Sequence, residues 1–204
     1  MNIPKTSKKR IVVVGGGFGG IQMIAKLKNA PYQLVLLDKQ NFHTFQPLLY
    51  QVATAGLEPG SIAYPLRKMF IKHSNFYFRV AEVLHVNPYA KMIETNIGEL
   101  SYDYLVIATG ATTNFFGIKG LEDVAMPMKT VNEALDIRSV LLQLFERATL
   151  TNNEDERRKL MSFAIVGGGP TGVELAGALS ELKTHVLPKD YPDLDLELME
   201  VRLV

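Results

Sequence analysis

The 204 residues contain no cysteine. That absence excludes a disulfide scaffold, thiolate metal sites and any redox dithiol within the chain. No apolar run approaches the roughly 18 to 20 residues needed to cross a bilayer, so membrane contact through these residues is expected to be peripheral. Charge of one sign is lacking too: 22 Lys and Arg stand against 21 Asp and Glu, a formal net charge of +1. The pI is near 7.9, and no basic stripe marks a nucleic-acid partner. The short run Lys8-Lys9-Arg10 reads as the solvated approach to a strand. The apolar residues that follow, Ile11-Val12-Val13-Val14, stop at glycines, too soon for a secretory signal, and a cytoplasmic-side protein is the expectation. His73, His85 and His185 show no metal-ligand spacing with Asp or Glu, so no metal is expected. What is present is an ordinary globular composition, 47% hydrophobic and 21% charged, able to bury a core.

Residues 10–14 form a β-branched run that breaks into Gly15-x-Gly17-x-x-Gly20. A helix is expected from Phe18 to Asn29, closed by Pro31, and a second strand from Gln33 to Leu37 runs into Asp38. Asp38 lies 23 positions after Gly15 (38 − 15), close to the roughly 20-residue offset between a dinucleotide fingerprint and its ribose-binding acid. Each glycine does what a Cβ would prevent. Gly15 makes the tight turn, Gly17 lets backbone approach a pyrophosphate, and Gly20 lets the helix pack on its strand. The free N–H groups and positive dipole end of the helix suit phosphate, and Asp38 suits ribose hydroxyls.

The pattern returns after Ser162-Phe163-Ala164-Ile165-Val166 as Gly167-x-Gly169-x-x-Gly172, feeding a helical run from Val173 to Leu179. The two fingerprints are separated by 152 positions (167 − 15), and each has its own strand and helix. Two dinucleotide sites in one chain suit one tightly held redox cofactor and one exchangeable carrier. Between them, Phe76 to Val86 and Met92 to Asn96 read as short strands, with a hairpin-like turn at Asn96-Ile97-Gly98. Tyr104 to Ala108 is a further strand ending at Thr109-Gly110. Thr130 and Glu133 make a capping box before a helix through Phe145, and Thr151 to Arg158 reads as a surface connection. The reading is an α/β protein of two Rossmann-like units in a three-layer ββα style, the second incomplete. Residues 1–118 form the first unit and residues 119–204 begin the second, with the boundary between Gly110 and Thr130.

The segment Asn41-Phe42-His43-Thr44-Phe45-Gln46-Pro47-Leu48-Leu49-Tyr50-Gln51-Val52-Ala53-Thr54 resembles the signature that follows the FAD acid in type II NADH:quinone oxidoreductases. Gly167 to Leu179 is similar to the NADH-domain fingerprint of that family, and the resemblance runs from Lys9 to Val204. It implies FAD held by Gly15, Gly16, Gly17, Phe18, Gly19 and Gly20, by Asp38 and Lys39 around the ribose, by backbone near Val83, and by the Thr109-Gly110 segment. NADH would lie over Gly167, Gly169 and Gly172. The implied chemistry is ping-pong: NADH gives hydride to the flavin, and a membrane quinone then collects the electrons. Pro47 and its neighbours are open to two readings, contact with the flavin ring or core packing. Tyr50, Tyr64 and Phe70 read as core more economically than as a ring-stacking surface. Glu174 is the candidate catalytic residue, placed by the pattern in the first turn of its helix. It could orient the nicotinamide carboxamide, take part in proton transfer, or only complement the helix dipole.

The resemblance also implies a respiratory-chain enzyme that pumps no protons, peripheral on the cytoplasmic face of the cell inner membrane and compatible with a homodimer. Attachment would come through amphipathic helices beyond Val204. Val201 to Val204 reads as the second strand of the NADH unit, so the residue that separates NADH from NADPH would come next. The chain alone is therefore expected to hold FAD weakly or to aggregate, and to be inactive. Rival readings are a soluble ferredoxin or rubredoxin reductase, against which the HTFQPLLYQVAT segment argues, a single-fingerprint NAD dehydrogenase, against which the duplicate motif argues, and a non-catalytic nucleotide-binding fragment. Disulfide reductases and sulfide:quinone reductases need cysteines that these residues lack.

Overall fold

The computed structural model describes all of Met1–Val204 and divides into two compact units. One is Met1–Thr44 with Ala63–Thr112, the other Phe45–Ile62 with Thr113–Val204. In chain order the elements begin β1 (Arg10–Val14), α1 (Phe18–Lys26), β2 (Gln33–Asp38), β3 (Phe42–Thr44), α2 (Leu49–Ala53), β4 (Ala63–Pro65), α3 (Leu66–Met69), β5 (Phe76–Val80), β6 (Val83–Asn87), β7 (Met92–Thr95), β8 (Gly98–Ser101) and β9 (Tyr104–Ile107). They continue α4 (Leu121–Val124), α5 (Val131–Leu150), α6 (Glu154–Leu160), β10 (Ser162–Ile165), α7 (Pro170–Glu181), a π-helical turn at Leu182–Val186, α8 (Leu187–Asp190) and β11 (Glu200–Leu203).

The first unit is built on a parallel sheet ordered β5-β2-β1-β9. Both faces are covered, which is why β1 and β2 read as continuous apolar runs. Ile11, Val13, Leu34 and Leu36 face one side with Ile24 of α1, Leu66 and Phe78. Val12, Val35 and Leu37 face the other with Ile93 and Leu100 of the antiparallel meander β6-β7-β8. Each fully buried Leu, Ile or Val contributes about 1.5 to 3 kcal/mol. The chain moves from β1 outward through β2 to β5, then returns to the far side of β1 as β9. That reversal is the switch point at which sheets of this kind bind ligands beyond their strand ends.

Several expected elements differ. Helix α1 ends at Lys26 rather than Asn29, because Leu27 leaves helical geometry and Ala30 N–H bonds back to its carbonyl in a turn before Pro31. The stretch 76–86 is two strands in different sheets, β5 and β6, parted at Ala81-Glu82. The hairpin turn expected at Asn96-Ile97-Gly98 leads into β8, with Asn96-Ile97 linking it to β7 and Thr95 opposite Gly98, so the strand expected through Asn96 ends at Thr95. Among the aromatics, Phe70 is core, but Tyr64 is 52% exposed.

In the second unit the Thr130/Glu133 capping box starts α5, which runs on to Leu150. The polar stretch read as a surface connection is half helix. In α6, Asn153 accepts from the N–H groups of Asp155 and Glu156, acids fill the first turn and bases the last, and Leu160 is buried, so both helix ends are electrostatically satisfied. Strands β10 and β11 pair in parallel under a core of Leu141, Phe145, Met161, Leu179, Leu187 and Met199. Segment 45–62 joins this unit: Leu49, Val52 and Ala53 pack with Ile62 and Ala134, and against Leu135 and Leu175.

Tyr191 packs against this core and donates its hydroxyl to Glu146 Oε1 at 2.9 Å. Burial, then the bond to Glu146 and the carboxylates of Glu146 and Asp190, push its pKa from 10.0 up to about 12. Since the folded value lies above the unfolded one, the stability it contributes is whole below pH 10 and is lost as pH rises towards 12. A Tyr191→Phe variant should lose the last-titrating phenolate in an ultraviolet pH titration and show a flatter alkaline fall in stability. Identical titration curves for the two proteins would refute this.

Candidate functional site

The glycine loops are the same piece of geometry twice over. Gly15 has φ +105° and Gly167 φ +112°, a region closed to L side chains. The N–H of Gly15 donates to Leu37 O at 2.8 Å, and that of Gly167 to Val204 O at 2.7 Å. Each loop is thereby tied to the strand beside it. A Cβ on Gly20 would lie 1.8 Å from Gly15 O, and one on Gly172 2.0 Å from Gly167 O, so the helix seats on its turn only without side chains there. The residues that cap the helices, Gly17 and Gly169, share extended backbone (φ −72° and −74°). A Cβ on either would meet nothing within 4 Å. Nothing inside the protein fills that space in front of two helix N-termini, which is the room an anion needs.

In the first unit the structure brings most of the expected residues together. Asp38 Oδ2 accepts from Gly16 N–H and Oδ1 from Gln40 N–H at 2.7 Å, so the carboxylate is held at the strand end with lone pairs to spare. A Cβ on Gly15 would strike Ala108 O at 2.2 Å and Thr109 Cα at 3.1 Å, which puts the Thr109-Gly110 segment beside the loop. Phe18 and Gly19 lie exposed in the first turn of α1. Lys39 is paired with Glu82 at 2.6 Å, next to Val83 at the start of β6. The pair is largely exposed and worth at most about 1 kcal/mol. Sequence reasoning missed the contact of His43 Nδ1 with Gly16 O, 3.0 Å; it joins residues 27 apart, and no local pattern announces it.

In the second unit Glu174 is not in the first turn of its helix: α7 begins at Pro170, and its first turn holds no acid. Proline is well suited to the opening position of a helix, and counting from Val173 places Glu174 too early. Glu174 sits one turn further on, exposed, in a cleft of about 470 Å³ that it lines with Tyr50, Gln51, Glu181 and His185. Gln51 Nε2 donates to Tyr50 Oη at 3.2 Å. Leu182, His185 and Val186, which also line it, belong to the π-helical turn Leu182–Val186, a feature often found at functional sites. Val204 occupies the place of Leu37, its carbonyl accepting from Gly167 N–H as Leu37 O accepts from Gly15 N–H. No group of three or more His, Cys, Asp or Glu could hold a metal ion, and no helix is long and apolar enough to cross a membrane.

A sequence profile for pyridine nucleotide-disulphide oxidoreductases matches residues 9–194. The chain belongs to the pyridine nucleotide-disulphide oxidoreductase family. It is 36% identical over 192 residues to the type II NADH:quinone oxidoreductase Ndh of Mycobacterium tuberculosis, covering 92% of this chain and 42% of that protein. It is 35% identical over 201 residues to the external alternative NAD(P)H-ubiquinone oxidoreductase B3, mitochondrial, of Arabidopsis thaliana, covering 92% of this chain and 35% of the relative. Among solved structures, NDH2 of Plasmodium falciparum in complex with NADH superposes with a TM-score of 0.88 at 29% identity, over 96% of this chain and 41% of that one. The chain thus spans about two fifths of the length of the relatives it matches. The disulphide chemistry in the family's name is not available to these residues, which include no cysteine.

Proposed function

We propose that the first compact unit holds FAD, the second receives NADH, and the protein they serve is a non-proton-pumping NADH:quinone oxidoreductase, peripheral on the cytoplasmic face of the membrane that carries its quinone. The observation that supports this best is the duplicated loop: two strand-turn-helix units with matching backbone, each with an open glycine at the helix N-terminus. One such loop would suit a single-carrier dehydrogenase; two suit passage of reducing equivalents between carriers. The named relatives, NADH:quinone and NAD(P)H-ubiquinone oxidoreductases, support the choice of quinone as acceptor.

The residues present fit the flavin nucleotide. Gly17 leaves room for the pyrophosphate, the first turn of α1 offers N–H groups, and Asp38 offers carboxylate lone pairs to ribose hydroxyls. Thr109 and Gly110 flank the same loop, and Val83 with the Lys39-Glu82 pair stands at the ribose end. The chemistry FAD supplies is acceptance of a hydride from NADH and release of the two electrons to the quinone. The chain's own part is to bind, orient and manage protons. Gly167, Gly169 and Gly172 seat the NADH pyrophosphate as their counterparts seat that of FAD.

Glu174 is the residue proposed for chemistry. Its carboxylate opens on the cleft beside Gln51 and His185, where it can accept from a nicotinamide carboxamide or pass a proton. Glu174→Gln should slow turnover by about 100-fold while leaving flavin content unchanged. Rapid mixing separates the two roles: slowed bleaching by NADH points to the carboxamide, slowed reoxidation by quinone to the proton. Turnover within twofold of the parent would remove Glu174 from the mechanism.

The test of the whole reading is anaerobic mixing of the flavin-loaded natural protein with NADH, then with a quinone analogue or oxidised ferredoxin. Bleaching followed by reoxidation with quinone supports it. Reoxidation by ferredoxin alone makes the protein a soluble reductase, and failure to bind flavin removes the two-carrier argument. Vesicle flotation and sedimentation of the same preparation test membrane association and a homodimer.

A further inference from the structure

His43 is a titratable side chain that the chemistry above does not use, and it is buried, 7% exposed. It sits on β3 opposite Tyr64 of β4, with the Phe18 ring edge-on at 4.9 Å. Its Nδ1 stands 3.0 Å from Gly16 O. A carbonyl oxygen only accepts, so Nδ1 carries the hydrogen, in the neutral and in the charged ring alike. The N–H of Gly16 is taken by Asp38 Oδ2, so both polar groups of this one glycine are clamped by side chains from β2 and β3.

That clamp reaches the next residue. The peptide bonds are all trans, and across a trans peptide the C=O of Gly16 and the N–H of Gly17 point in opposite directions. Holding the carbonyl on His43 therefore fixes the aim of the Gly17 N–H, which has no partner within the protein and belongs to the glycine with open space around it. We propose that His43 is a positioning residue that pre-aims the Gly17 amide at the pyrophosphate of the flavin nucleotide. The inference rests on reading the first unit as the FAD site. A pinned loop loses less freedom on binding, which suits a tightly held carrier.

The test uses the natural protein stripped of flavin. His43→Phe keeps a ring against Phe18 and removes the donor, whereas His43→Asn places an amide N–H where Nδ1 stands. FAD affinity, read by fluorescence titration, should fall about tenfold in His43→Phe and return to within about threefold of the parent in His43→Asn. ADP, which carries a pyrophosphate, should compete about tenfold less well against His43→Phe, and adenosine equally well against both proteins. A purely structural role would weaken ADP and adenosine together. If His43→Phe does not fold, His43→Gln, whose donor is moved out by a methylene, should show the same split. Parental FAD affinity in His43→Phe, equal weakness of the Phe and Asn variants, or an unsplit response to ADP and adenosine overturns the proposal. All three leave the FAD reading standing, whereas failure of the parent to bind FAD ends both.

Discussion

Gly20→Ala should lower FAD affinity by about 100-fold or more, and Gly172→Ala should leave FAD bound while abolishing its reduction by NADH. In each case the new methyl group meets a backbone oxygen, Gly15 O at 1.8 Å or Gly167 O at 2.0 Å. Neither oxygen can step aside, since the same glycines are tied through their N–H groups to Leu37 O and Val204 O. The helix must back away by more than about 1 Å, and displacement on that scale costs on the order of 100-fold where groups must meet in register. Flavin absorbance of the purified variants and anaerobic bleaching by NADH measure the two effects, with circular dichroism to confirm folding. A Gly20→Ala protein that keeps stoichiometric flavin would show that α1 is not seated as described.

Phe145→Ala should be the most damaging single change to the core of the second unit. Phe145 is 1% exposed and meets Phe163 at 5.9 Å and Tyr191 at 5.8 Å between ring centres. It sits on the buried face of α5 among Leu141, Met161 and Leu187. Truncating a buried Phe costs about 3 to 5 kcal/mol, the lost transfer energy plus the cavity left behind. For a chain of this size that corresponds to a fall in Tm of roughly 6 to 20 °C. A fall of under about 2 °C would mean that the surrounding side chains collapse into the space. Phe145→Leu should recover most of the loss.

The parts of the site that were legible in the sequence are those where backbone geometry leaves only one residue type possible. Gly15, Gly20, Gly167 and Gly172 could be assigned roles before any coordinates, because a Cβ at each meets main chain or forces an unfavourable φ. Asp38 was legible through its 23-residue offset (38 − 15) from Gly15, at the end of the strand that follows the first helix. The boundaries of α7 were not: the helical run reads from Val173, whereas the helix opens three residues earlier at Pro170, and Glu174 was placed a turn too early. Helix α6 was read as a connection because its helical signal lies in charge order and the Asn153 cap, not in apolar periodicity. The grip of His43 on Gly16 and the π-helical turn beside Glu174 depend on tertiary contacts that no local pattern encodes.

Segment 45–62 carries a consequence for how the chain is made. Its two ends are pinched together, since Thr44 pairs with Ala63 and Phe45 N–H donates to Ile62 O, so it leaves the strands of the first unit as a closed limb. Helix α2 within it is synthesised well ahead of Ala134 and Leu175, the residues that cover Leu49 and Val52. On the ribosome the limb waits with its apolar side bare while the intervening residues emerge, the kind of surface that draws chaperones or neighbouring nascent chains. Slow translation through residues 63–130 would lengthen that wait, and a nascent chain halted at Thr112 would never end it.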